Sequence, residues 1–298
     1  MEVCGRKIQL KMIEENKEKS NNEEVNLSEK DKTLLINTIN KKGFFLEEKA
    51  YGILEQRHGL FTLRKNFIPR NYNKHFNERA EIDLVFAQDH KNLVIECKKT
   101  DYSWVFPKSL VGSNNINFMV EYEDGMHVMS FDTKEWRVCY SEPMALMIDD
   151  NGKPLPDNKE GFVKTQPRQE DPIQRAVLQV LHQTKAWRWE PESVKSISFF
   201  VPVILTNAPL FYLDYSAEQI DKNSNLKTLN SLKKVKGIIY NYSEFLDWPS
   251  AKDEREIKSV FIINIHHFSE FLDWIFLHNL ASFNGSMKIS GSENYNFL

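Results

Sequence analysis

The stretch from Glu81 to Lys99 constrains this chain more than any other, because two short apolar runs there flank a polar turn. The apolar runs are residues 84–86 and 93–95, and the polar residues 88–92 separate them. Two such runs joined by a short polar segment predict a β-hairpin. The second run is continuously apolar, which is typical of a strand buried on both faces, with charged residues only where it ends.

Three charged side chains come together when this hairpin folds. Side chains on a strand alternate between its faces, so Glu96 and Lys98 point the same way, and pairing of the strands brings Asp83 beside them. Burying these charges costs several kcal/mol unless they are paired or bind a metal. Carboxylate oxygens on a rigid strand pair suit Mg²⁺ or Mn²⁺, and a nearby lysine can orient or activate a water. The group therefore suits metal-assisted phosphodiester hydrolysis, and a cross-strand ion pair on a solvated face is the alternative interpretation.

Asp83, twelve intervening residues and then Glu96-Cys97-Lys98 resemble the PD-(D/E)xK nuclease superfamily, which has the restriction-endonuclease-like fold. Ile82 stands where the first motif usually has proline. The resemblance implies that Asp83, Glu96 and Lys98 are the catalytic residues. It also implies that Asp83, Glu96 and the main-chain carbonyl of Cys97 bind Mg²⁺, with Mn²⁺ as the alternative ion.

The resemblance extends to the helices on either side of the hairpin. Members of the superfamily commonly carry another acid on the helix before it, and residues 43–54 are similar to that helix. By this match Glu47 is the third acidic ligand, with Glu48 as the alternative. Members also often place a glutamine or basic residue of the following helix in the active site, which here would be Gln179 or Gln174. Ordinary surface glutamines are the competing interpretation.

A basic and aromatic stretch lies just before the hairpin. Residues 64–79 carry five Lys or Arg side chains against one acid, Glu78, with three Phe or Tyr residues among them. A nucleic-acid backbone favours such a surface, and a solvated loop with anchoring aromatic residues explains it equally well. The predicted nucleic-acid contacts are Arg64, Lys65, Arg70, Lys74, Arg79 and Lys99.

The composition indicates a globular protein with a sizeable core. Of 298 residues, 41% are apolar, 27% charged and 12% aromatic, and the net charge of −3 does not by itself indicate a nucleic-acid binder. Three widely spaced cysteines, Cys4, Cys97 and Cys139, indicate a reducing compartment rather than a disulfide framework. The charged N-terminus has no secretory signal pattern, and no stretch is typical of a membrane span. We therefore expect a cytoplasmic protein that does not associate with membranes.

The predicted fold is α/β, with a central mixed β-sheet flanked by helices, restriction-endonuclease-like and with a β-rich insertion. The insertion, about residues 104–170, is expected to be an antiparallel meander followed by a long polar loop. Residues 197–213 are expected to form a further strand pair around a Thr-Asn-Ala turn. The predicted organisation is a charged N-terminal segment 1–26, one nuclease-like domain 27–281 and a polar tail 282–298.

The leading hypothesis from the sequence is a metal-dependent endonuclease that acts on DNA. Analogy with the family suggests a role in defence against foreign DNA, such as antiviral defence. The alternatives are a nuclease for RNA or structured nucleic acid, a non-catalytic binding or assembly module, and a surface ion-pair ladder whose resemblance is chance. Cleavage of both DNA strands needs two sites, which favours a homodimer on geometric grounds. A protein partner that activates or restrains cleavage is compatible with the chain, although no residue identifies one.

Overall fold

The computed structural model describes residues 27–40, 43–69, 81–109, 114–122, 125–133, 135–146, 148–149, 151–153, 172–190, 198–223, 225–228, 231–244 and 256–277. The chain divides into two compact units, residues 1–41 and 42–298. This boundary falls inside the range 27–281, which the sequence analysis assigns to one domain. The domain organisation given there stays a prediction.

In the first unit the described residues form one helix, α1 (Glu29–Asn40). The Ser28 hydroxyl caps it by accepting a hydrogen bond from the Asp31 main-chain N–H at 3.2 Å.

In the second unit the described residues form three α-helices and thirteen strands. The helices are α2 (Phe44–Glu55), α3 (Pro172–Arg188) and α4 (Phe268–Leu277). The strands are β1 (Phe61–Phe67), β2 (Ile82–Gln88), β3 (Lys91–Lys98), β4 (Ser103–Pro107), β5 (Asn115–Tyr122), β6 (Gly125–Asp132), β7 (Arg137–Cys139), β8 (Met144–Leu146), β9 (Ser198–Thr206), β10 (Leu210–Asp214), β11 (Ser231–Val235), β12 (Gly237–Glu244) and β13 (Glu256–Asn264). None of the helices in the described part of the chain is long and apolar enough to cross a membrane.

Nine strands form a mixed sheet in the order β1-β2-β3-β9-β13-β12-β7, which the β5–β6 hairpin joins through β9. At its centre β3, β9 and β13 run parallel, whereas β1, β2 and β3 are antiparallel neighbours. The other four strands form a second sheet in the order β11-β10-β4-β8.

Alternation along the central strands divides their side chains between two apolar layers. Ile95 and Val203 pack on one face with residues of α2 and α4. Val94 and Ile204 pack on the other face with residues of α3. Because both faces are covered, these strands are continuous apolar runs. The prediction of an α/β fold with a mixed central sheet flanked by helices is confirmed.

The strands that follow Lys99 do not form a separate antiparallel meander. The β5–β6 hairpin pairs with β9 of the large sheet, and β7 runs parallel to β12. By contrast, β4 and β8 belong to the four-stranded sheet. The predicted strand pair at 197–213 is divided in the same way, because β9 lies in the large sheet and β10 in the small one. Alternation of apolar residues identifies a strand but not its partner, which long-range packing decides.

Candidate functional site

The predicted hairpin is present as β2 and β3, and it turns at Asp89. The φ angle of Asp89 is 55°, in the left-handed region that Asp and Asn adopt more readily than most residues. The antiparallel register pairs Leu84 with Ile95. One further step along both strands places Asp83 opposite Glu96, as the sequence predicts.

Glu96 is the most deeply buried acid of this group, with only 2% of the residue exposed. The Lys98 ammonium lies 2.5 Å from Glu96 Oε1, and its side chain is 32% exposed. Gln179 Oε1 of α3 accepts a second hydrogen bond from Lys98 Nζ at 3.0 Å. Of the two glutamines that the sequence leaves open, Gln179 is therefore the one that contacts the lysine.

Gln183 is a site residue that the sequence analysis missed. It is fully buried, and its Nε2 donates to Glu96 Oε2 and to the main-chain carbonyl of Glu81, each at 2.7 Å. It follows Gln179 by four residues, so the two amides lie on the same face of α3. That spacing is the signal that could have identified Gln183 once Gln179 was considered.

The main chain at the end of β3 holds the Asp83 carboxylate in place. Its Oδ2 accepts a hydrogen bond from the Cys97 N–H at 2.7 Å. Burial, and next the charge of Glu96, raise the pKa of Asp83 to about 7, although the Cys97 N–H and Lys98 act in the opposite direction. The negative charge of Glu96 thus disfavours ionisation of Asp83, an electrostatic situation that a bound cation relieves.

Glu47 lies in the first turn of α2, the helix before the hairpin. Burial raises the pKa of Glu47, the Lys65 ammonium lowers it, and the charges of Glu96 and Glu81 raise it further. Glu48, the alternative helix acid, forms an ion pair with Lys65. Glu47 is thus the acid of α2 whose pKa the charge of Glu96 affects. Glu48 is instead paired with Lys65.

The Cys97 side chain lies on the opposite face of β3 from Glu96 and Lys98. It is buried in the apolar layer that contains Leu84 and Ile95. Burial, together with the nearby carboxylates, raises the pKa of its thiol well above the usual value. Such a thiol is a poor nucleophile, so the main-chain groups of Cys97 are its only part suited to the site.

The predicted nucleic-acid contacts are described only in part, because Arg70, Lys74 and Arg79 lie outside the described residues. Arg64 and Lys99 are exposed. Lys65 contacts Glu48, as noted, and its ammonium lies 5.0 Å from the centre of the Phe44 ring. Exposed cations therefore lie on β1 and just beyond β3, on two sides of Asp83.

The donors at this site fit a hard divalent cation in kind. Two carboxylates and a main-chain carbonyl offer oxygen ligands, and Gln183 Oε1 is a buried acceptor that no described residue satisfies. Within the described residues, however, no group of three or more His, Cys, Asp or Glu side chains could hold a metal by itself. Mg²⁺ usually keeps several waters and binds through one or two carboxylates, so Asp83 and Glu96 are sufficient for that ion.

Comparison with known proteins identifies no relative of this chain. Neither family models, nor curated proteins, nor solved structures match the chain.

Proposed function

We propose that this chain is a metal-dependent endonuclease that hydrolyses phosphodiester bonds of DNA at Asp83, Glu96 and Lys98. The observation that carries the proposal is the contact of Lys98 Nζ with both Glu96 Oε1 and Gln179 Oε1, at the end of a strand where Asp83 faces Glu96. We extend the proposal to a restriction-endonuclease-like fold. An acid-bearing helix before the hairpin and a glutamine-bearing helix after it support that assignment.

Lys98 is suited to hold and activate the attacking water. An ammonium has three donors, and Glu96 and Gln179 occupy two of them. The side chain remains partly exposed, so the third donor can reach a water or a phosphate oxygen. Contact with the Glu96 carboxylate keeps the lysine in place, and Gln183 in turn fixes the orientation of that carboxylate.

Asp83, Glu96 and the Cys97 carbonyl would hold the cation, and Glu47 would complete the acidic side of the site. A bound Mg²⁺ supplies stabilisation of the negative charge that develops on phosphate and on the leaving oxygen. The chain itself supplies the rigid placement of the acids, because β3 is a central strand paired on both sides.

The test is cleavage of plasmid and linear DNA by the purified protein in Mg²⁺, in Mn²⁺ and in EDTA. Cleavage is expected with either metal and not in EDTA, and both Lys98→Ala and Asp83→Ala are expected to reduce its rate by about 100-fold or more. Asp101→Ala is the matched control, because Asp101 is exposed and lies three residues beyond Lys98. Equal cleavage by the control and the two site variants would refute the assignment of the site.

A non-catalytic nucleic-acid-binding module is the second candidate, and one observation favours it. Both carboxylate oxygens of Glu96 are already contacted by side chains, Oε1 by Lys98 and Oε2 by Gln183, as in a structural ion pair. This candidate predicts oligonucleotide binding that is insensitive to Mg²⁺, no cleavage of DNA or RNA in any metal, and no heat of Mg²⁺ binding in calorimetry.

A further inference from the structure

A polar pocket, separate from the acidic group, opens at the same end of the large sheet. Its volume is ≈370 Å³, at the lower end of the range for ligand pockets, about 300–1,000 Å³. It lies where β9 and β13 end and where the chain passes from β11 to β12. The polar residues that line it are Asn207, Lys234, Lys236, Asn264, His266 and His267.

The lining of this pocket is basic. Four of its nine residues are Lys or His, and none is Asp or Glu. Glu270 contacts two of these residues, because it forms an ion pair with Lys236 and lies 3.5 Å from His267 Nδ1. Lys236 remains 56% exposed in spite of this pair, so its ammonium can also contact a second anion.

The segment between β13 and α4 forms one wall of the pocket. The Asn264 side chain accepts a hydrogen bond from the His266 N–H at 3.0 Å, which fixes the entry into the turn at 265–267 and then α4. The positive character of the pocket therefore comes from its side chains, which favour an anion.

The pocket is joined directly to the strand end that carries Lys98. The parallel register pairs Lys98 with Thr206 and Thr206 with Asn264, so Asn264 lies two strand spacings from Lys98, about 10 Å. The Asn207 amide also forms two hydrogen bonds with the main chain of Thr100, of 2.9 and 3.0 Å. These bonds fix the wall of the pocket to the segment just beyond Lys98.

We propose that this pocket binds a phosphate of the same polynucleotide strand whose scissile phosphate lies at Asp83, Glu96 and Lys98. The inference rests on the proposed function, and it adds the position at which the flanking strand is held. A separation of about 10 Å lies within the span of a few nucleotides of one strand, whose rise along the duplex axis is ~3.4 Å per nucleotide. Phosphate is the anion because the pocket offers several ammonium and imidazole donors to a group with several acceptor oxygens.

The test measures binding of a fluorescein-labelled DNA duplex to the full chain in EDTA, where cleavage does not interfere. The double variant Lys234→Ala/Lys236→Ala is compared with Lys222→Ala/Lys227→Ala, which removes the same charge from a segment that does not line the pocket. The pocket variant is expected to bind about tenfold more weakly, and the slope of log affinity against log salt is expected to fall by about two, one for each lysine. The control is expected to change affinity by less than about twofold. Circular dichroism and thermal melting establish that both double variants are folded.

Two-dimensional NMR of the His266 and His267 imidazoles identifies the source of the phosphate. The duplex is expected to shift both imidazole resonances at lower concentrations than inorganic phosphate or a 5′-mononucleotide. Equal affinity and equal salt slope in the two double variants would overturn the inference. So would imidazole shifts caused by inorganic phosphate or the mononucleotide but not by the duplex, since these would indicate a site for a free anion.

The same experiment separates this inference from the proposed function. Adding Mg²⁺ to the bound duplex gives cleavage if the proposed function is right, whichever way the pocket variants behave. Loss of binding in the pocket variant with no cleavage by the wild-type chain would contradict the catalytic proposal alone. Cleavage by the wild-type chain with undiminished binding in the pocket variant would contradict the pocket alone.

Discussion

At the scale of single residues, the fold disfavours the ionised form of Asp83. Burial and the charge of Glu96 raise its pKa from 3.8 to about 7. The folded protein therefore retains a proton that the unfolded chain releases between about pH 4 and pH 7. Stability of the metal-free protein falls as pH rises through that interval, and it reaches its lower limit above about pH 7.

Replacement of Asp83 by Asn is expected to remove this loss of stability. Asparagine cannot ionise, and its side-chain oxygen can still accept the Cys97 N–H. We expect the free energy of unfolding of Asp83→Asn, relative to wild type, to rise by about 2 kcal/mol between pH 5 and pH 8. Urea unfolding in EDTA at both pH values measures it. Asp101→Asn, at an exposed position, is the control. A difference between variant and wild type that stays constant from pH 5 to pH 8 would contradict the prediction.

Gln183 is expected to contribute more to stability than the other two glutamines of α3. Removal of its amide takes away the donor to Glu96 Oε2 and to the Glu81 carbonyl, which costs about 1–3 kcal/mol. Gln179 is only half-buried, so Gln179→Ala is expected to cost less than about 1 kcal/mol. Urea unfolding of Gln183→Ala and Gln179→Ala, with Gln174→Ala as control, measures the order. Equal losses in all three variants would show that the Glu96 contact is not stabilising.

At the scale of elements, the sequence predicts those whose signal is local. The hairpin, the helix at Phe44–Glu55 and the helix at Pro172–Arg188 follow from the local spacing of apolar residues and from a polar turn. The facing of Asp83 and Glu96 follows because an antiparallel register is fixed by a short turn. The local pattern is therefore sufficient for the acidic group itself.

The elements that the sequence does not predict depend on distant partners. The strand β4 pairs with β10, which begins about a hundred residues later. The strands β9 and β10 follow each other in the chain but belong to different sheets. Gln183 becomes part of the site only because α3 packs across β3. Such contacts leave no periodic trace in either segment alone, since their energy comes from packing between segments.

The interface between α2 and the hairpin gives a prediction at the scale of elements. Ala50 is fully buried in the layer that contains Leu84 and Ile95. Ala50→Leu is expected to lower the free energy of unfolding by about 1–3 kcal/mol, because extra methyl groups must displace packed neighbours. Glu47 precedes Ala50 by three residues and lies one turn away on the same side of the helix, so the displacement is also expected to move its carboxylate.

The control for this interface is Lys49→Leu, which adds an apolar side chain at the adjacent exposed position. It is expected to change the free energy of unfolding by less than about 0.5 kcal/mol. Urea unfolding of both variants provides the comparison. If Ala50→Leu is as harmless as Lys49→Leu, α2 is not closely packed on the hairpin and cannot hold Glu47 in place.

At the scale of the second unit, residues 42–298, the two sheets share one apolar layer. That layer contains Val94 and Ile204 from the large sheet together with Trp104 and Leu210 from the small one, and the helix α3 packs within it. Contacts of this kind couple the sheets, because neither can separate without exposing the side chains of the other. We therefore expect the two sheets to unfold in a single transition.

The reactivity of the two buried thiols, Cys97 and Cys139, measures the opening of the protein in two different apolar layers. Cys97 lies on β3 in one apolar layer, and Cys139 lies on β7 in the layer that the two sheets share. Burial raises the pKa of Cys139 to about 12 and that of Cys97 well above its usual value. Since the thiolate is the reactive form, both groups are expected to react with a disulfide reagent only when the protein opens.

Labelling of single-thiol variants measures the free energy of that opening at each position. In a Cys4→Ser background, Cys97→Ala leaves the thiol of Cys139 and Cys139→Ala leaves that of Cys97. If the sheets unfold together, the opening free energies agree within about 0.5 kcal/mol and depend equally on urea, because both report exposure of the same surface. Faster labelling of Cys139 with a shallower urea dependence would mean that the shared apolar layer opens around β7 without the hairpin. The acidic group would then lie in a separately stable part of the molecule, and the basic pocket at the end of β13 would lie at its boundary.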